Sequence, residues 1–166
     1  MDQASYDFLD VIAGLAVTFV GLATIAIILS QEVEGHPSRL SLHRTRTYAE
    51  TGLCAAGLAV LPGLLSLFAL SPEFVWRLSG VVALVLMLAW YLSYPRRRRR
   101  AAERPNPPTV WVNTAVGLGL TVGPILVVTG LAHGAAPGCY AIAPLGMLLQ
   151  NWANFVRNLG LFGSGR

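Results

Sequence analysis

The chain contains no lysine; all twelve of its basic residues are arginine. Charge of either sign is scarce, at 12% of 166 residues, where a soluble domain carries about 25%. There are two cysteines and three histidines. Each shortage excludes something. No polar stretch is long enough to bury a soluble core of its own. Cys54 and Cys139 do not make a disulfide framework, and Cys54, inside an apolar run, reads as a small hydrophobe. His36, His43 and His133 show no metal-ligand spacing with the cysteines, so no metal or cofactor is expected. There is no glycine-rich phosphate loop, no nucleophile elbow and no HExxH. No span holds paired carboxylates. An enzyme is therefore not expected, although His43 and Glu50 are the residues one would use.

The N-terminus lacks the basic flank of a signal peptide. Asp2, Asp7 and Asp10 stand there instead, so the first apolar run is expected to be retained. The arginine-rich stretch 96–104 has no interleaved aromatic, which argues against a nucleic-acid partner.

What the chain does have is long apolar runs; 54% of it is hydrophobic. The run Phe74–Tyr94 organises the rest. It is long enough to cross a hydrocarbon core of about 30 Å. Trp90, Tyr91 and Tyr94 look like an interfacial belt, and Arg96, Arg97, Arg98, Arg99 and Arg100 look like its cytoplasmic stop. Their second use would be to hold anionic lipid headgroups.

The expected fold is an all-α integral membrane protein, one domain with five transmembrane helices. The spans are about 8–30, 50–70, 74–94, 109–132 and 139–157, the last being the weakest by composition. Pro37 and Ser38 start a cytoplasmic extension of the second span over 38–49. Pro62 is expected to kink that span. Ser71, Pro72 and Glu73 suit a helix start, with Glu73 paired to Arg77. Trp76 is assigned to the outer belt. Residues 95–108 form a basic loop stiffened by Pro105, Pro107 and Pro108. Gly117, Gly119, Gly123 and Pro124 bend the fourth span, and Gly14 and Gly21 offer close approach on the first.

With five spans, eleven of the twelve arginines fall on one side and only Arg77 on the other. The positive-inside rule then places the N-terminus outside and the C-terminus in the cytoplasm. A multi-pass protein of a bacterial inner membrane is the expected setting, with the lipid bilayer as first partner.

Two polar groups carry the functional reading. Arg39, His43, Arg46 and Glu50 are spaced four, three and four, which puts them on one helix face. Asn113, on the fourth span, and Gln150, Asn154 and Arg157, on the fifth, fall at the same level. Ionisable groups near membrane depth face protein or water and are candidate sites. Together they predict a basic cytoplasmic vestibule in a homo-oligomeric channel or permease-like protein that favours anions or small anionic solutes. The alternative is a non-catalytic accessory subunit of a larger membrane complex, with Gly117, Gly119 and Gly123 meeting the partner.

Overall fold

In the computed structural model, which describes residues 3–34, 39–102, 108–132 and 134–163, the chain is helical with no strand among those residues. The helices are α1 (Gln3–Glu34), α2 (Arg39–Ser66), α3 (Pro72–Ala102), α4 (Pro108–Gly119), α5 (Val122–Val128) and α6 (Ala136–Gly163). Among the described residues, four stretches are long and apolar enough to cross a membrane: Gln3–Leu29, Leu42–Ser66, Pro72–Arg100 and Pro108–Val128. The last spans α4 and α5, which are separated at Leu120–Thr121. That break comes one turn before Pro124, as the glycine and proline pattern predicts, because Pro124 has no N–H to bond the carbonyl four residues back.

Alanines are prominent in the interior, beside Leu9, Ile12, Leu58 and Tyr140, and many large apolar side chains lie on the outside. Ala16, Ala23, Ala55, Ala83 and Ala143 are fully buried, while Val11, Leu15, Leu22, Val85 and Leu92 are exposed. A water-soluble bundle sorts its leucines inward. Here small residues let the backbones approach while many large apolar side chains face outward, which is how helices pack in lipid.

Three glycines show the close approach directly. A methyl at Gly52 would strike Val20 of α1, one at Gly117 the ring of Tyr91, and one at Gly123 the carbonyl of Cys139. Gly14, Gly21 and Gly119, assigned the same role from sequence, have nothing within 4 Å. They lie on the outside of the bundle.

α6 packs against each of the other five helices. The least apolar span is thus the centre of the bundle. Its polar second half is turned inward, where the other helices supply partners.

Aromatic contacts fix the helix directions. Tyr6, near the start of α1, stacks on Trp76, near the start of α3, with ring centroids 5.8 Å apart. Trp76 also meets Tyr140, near the start of α6, at 5.7 Å. So α1, α3 and α6 begin at one end and run the same way. Trp76 is buried, which corrects its assignment to an interfacial belt: its ring closes that end of the core between two tyrosines. Beside it Ser71 caps α3 as expected, accepting from the Phe74 amide at 3.4 Å, and Glu73 pairs with Arg77 at 2.7 Å on the surface.

The arginine block does not end α3. The helix continues through Pro95 and all five arginines to Ala102, so the loop expected over 95–108 is helical in its first half. Proline removes one backbone hydrogen bond and clashes with one carbonyl. Arginine is a good helix former, and Pro95 is itself packed in the interior. The Pro105–Pro107 spacer and the helix start at Pro37–Ser38 lie outside the described residues.

Candidate functional site

At the end of the bundle opposite Tyr6 and Trp76, the helices α2, α3, α4 and α6 leave a cavity of about 90 Å³. Its inner end is Met147 and Tyr91, both buried. Each helix contributes through a simple register. On α2, His43, Thr47 and Thr51 recur every four residues and so share a face, with Arg44 and Tyr48 beside them. Thr47 donates to the carbonyl of His43 at 2.8 Å and Thr51 to that of Thr47 at 2.7 Å. These local bonds satisfy the hydroxyls along the wall without breaking the helix.

The opposite walls are tied together by amides. The Tyr91 hydroxyl donates to Gln150 Oε1 at 2.7 Å. Gln150 Nε2 donates to the carbonyl of Asn113. Asn113 Nδ2 donates to Asn154 Oδ1 at 2.8 Å, and Arg157 Nη2 donates to the same oxygen at 3.2 Å. Tyr48 joins α2 to α6 twice: its hydroxyl donates to the Asn154 carbonyl at 3.2 Å, and its own carbonyl accepts from Asn151 Nδ2 at 3.1 Å. Buried amides without partners would be costly. Linked head to tail, they lock four helices around one space. The glycine at 117 makes room for the Tyr91 ring that starts the chain.

The cavity is strongly one-signed. Arg44, Arg98 and Arg157 line it from three different helices, with His43, and no described carboxylate does. All three arginines act electrostatically on Tyr94, which also lines the space. The buried His43 Nε2 has no hydrogen-bond partner. Such a surface presents guanidinium N–H groups under positive potential, an arrangement that favours an anion over a cation.

Five of the eight vestibule residues read from sequence line this cavity: His43, Asn113, Gln150, Asn154 and Arg157. Arg46 and Glu50 lie outside it. Glu50 accepts from Arg46 on its own helix and from Arg97 Nη1 of α3 at 3.1 Å. The Arg97 guanidinium lies 3.8 Å from the centre of the Trp90 ring. Glu50 is therefore a fastener between α2 and α3. The side chain of Arg39 lies outside the described residues. Of the arginine block, Arg97 and Arg98 turn inward, to Glu50 and to the cavity, while Arg96, Arg99 and Arg100 are exposed.

Sequence reasoning missed Arg44, Thr47, Tyr48, Thr51, Tyr94 and Thr109. The signal for the α2 members was present: a 43–47–51 repeat with polar residues throughout. The charged 39–43–46–50 stripe, one position off, masked it. Among the described residues no three of His, Cys, Asp and Glu gather as metal ligands. The only described thiols, Cys54 and Cys139, are unpaired with each other. Comparison with protein-family models, curated proteins and solved structures finds no match, and the chemistry of the cavity carries the functional reading.

Proposed function

We propose that the protein is a small homo-oligomeric channel or permease-like protein, and that the cavity is its cytoplasmic vestibule for an anion or small anionic solute. The carrying observation is the lining itself: guanidinium groups from α2, α3 and α6 and no described carboxylate.

The reading includes five crossings of a cell membrane, taken to be a bacterial inner membrane, with the N-terminus outside. Two observations support it. α6 reaches from Tyr140, level with Trp76, to Asn154, level with Asn113, and so extends through the same depth as its neighbours. Arg44, Arg46, Arg97, Arg98 and Arg157 gather at one end, while Arg77 pairs with Glu73 at the other. That distribution is the positive-inside pattern. A route beyond the floor at Tyr91 and Met147 meets a packed core, so passage needs that floor to move or a second copy to complete the path.

The test is efflux from liposomes loaded with chloride or phosphate. The purified protein is expected to release the anion and not potassium. Arg157→Ala is expected to slow release about tenfold, the scale of one charge-assisted contact, and the exposed Arg46→Ala to leave it unchanged. Absence of anion release by the parent protein overturns the reading.

A further inference from the structure

The wall of the cavity has two faces of opposite character at one depth. Inward it presents Tyr48, Asn113, Asn154 and Arg157. Outward, at neighbouring positions of the same helices, it presents Leu42, Trp111, Val112, Trp152 and Val156, each more than half exposed. A mouth standing in water has no reason to clothe its outside in Trp and Val. A polar space inside an apolar girdle belongs within a bilayer, where ionisable groups turn to the interior.

The first helix gives the same depth independently. Gly52 of α2 meets Val20 of α1, and the two helices are antiparallel. Eight residues along each, Arg44 comes level with Ile28. Ile25, Ile28 and Leu29 are exposed, so the apolar exterior continues to the level of the arginines that line the cavity. Arginines at the edge of an apolar exterior stand at the depth of lipid phosphates.

Only two residues of the lining are exposed, Thr109 at the start of α4 and Arg157 near the end of α6. They mark the opening. Trp111 and Val112 follow Thr109 within a turn, and Trp152 and Val156 precede Arg157. The opening is thus bordered by apolar surface.

From these placements we propose that the anion taken by the cavity is a phosphate carried by a lipid: the headgroup of an anionic membrane lipid enters between Thr109 and Arg157. Its acyl chains remain on the Trp111, Val112, Trp152 and Val156 surface. The guanidinium forks of Arg44, Arg98 and Arg157 match phosphate oxygens in geometry as well as charge. Free inorganic phosphate offers the same oxygens but no use for the apolar border. This inference deepens the anion reading of the same cavity and rests on it.

The experiment uses the whole protein in mixed micelles of phosphatidylglycerol and phosphatidylcholine, with retained lipid counted by native mass spectrometry. A second arm titrates inorganic phosphate onto delipidated protein, followed by tryptophan fluorescence, since Trp90 lines the cavity. Phosphatidylglycerol is expected to be retained over phosphatidylcholine by about tenfold. Arg44→Gln and Arg157→Gln, on different helices, are each expected to lower that retention about tenfold. Arg77→Gln, at the opposite end of the bundle and outside the cavity, is expected to leave it unchanged. Equal retention of the two lipids, or an equal loss in Arg77→Gln, overturns the lipid assignment. Phosphate binding that the Arg157 substitution abolishes, with no lipid preference, overturns it too but keeps the soluble-anion reading. Failure of both lipid and phosphate to bind ends both.

Discussion

The hydroxyl of Tyr140 donates to the carbonyl of Leu58 at 2.7 Å, and Leu58 is the residue four before Pro62. Pro62 has no N–H, so this carbonyl loses its helical partner. A tyrosine from α6, itself fully buried, replaces it. The proline expected to weaken α2 is thereby the point at which α2 is fixed to the central helix. Tyr140→Phe should destabilise the protein by about 1 kcal/mol, the usual net value of one such bond. Pro62→Ala restores the helical donor, so the same Tyr140→Phe change in that background should cost much less. A double-mutant cycle on unfolding in detergent measures the difference. Equal costs in both backgrounds would show that the hydroxyl is not serving the proline.

Gly117 gives the second prediction. A methyl there meets the Tyr91 ring, whereas one at Gly119 meets nothing. Gly117→Ala should destabilise by about 1–3 kcal/mol, the scale of overpacking, and should disturb the Tyr91–Gln150 bond. Gly119→Ala should stay within about 0.5 kcal/mol of the parent. Paired thermal unfolding curves compare them. Equal effects would mean that the close contact between α3 and α4 is not as tight as the structure has it.

Glu50 gives the third. Its carboxylate is shared between Arg46, whose side chain is 78% exposed, and Arg97, at 33%. Exposed pairs are worth little. Arg46→Ala should therefore change stability by under about 0.5 kcal/mol, while Arg97→Ala, which also lifts a guanidinium from the Trp90 face, should cost about 1–2 kcal/mol. Chemical denaturation of both variants settles the order. A larger loss from Arg46 would mean that Glu50 serves mainly its own helix.

Much of this fold is legible in the residues. Apolar runs of about 20 residues need only length and the absence of charge to be recognised, and Ser71-Pro72-Glu73 announces a helix start by its own chemistry. The path of α3 past Pro95 was not legible, because a proline's effect depends on whether neighbours occupy the freed carbonyl. Trp76 and Tyr91 share their composition with interfacial belts, and only tertiary packing turns them inward. α6 reads as weak because Gln150, Asn151 and Asn154 lower its hydropathy. Those same amides make it the centre of the bundle once Tyr48, Tyr91 and Asn113 are there to bond them. The polar residues of the site were found where one helix carries several at helical spacing. They were missed where the lining mixes tyrosine and threonine among apolar neighbours.

The most direct measurement on the cavity is the charge preference of a thiol placed at its opening. Cys54 and Cys139 are first replaced by alanine, and Thr109→Cys supplies the probe. Anionic and cationic methanethiosulfonate reagents are then compared on the protein in bilayers, each rate divided by its rate with a free thiol. With Arg44, Arg98 and Arg157 lining the space, the anionic reagent should react faster by about tenfold, and Arg157→Glu should erase most of that margin. Equal rates, or a faster cationic reagent, would contradict an anion-favouring vestibule.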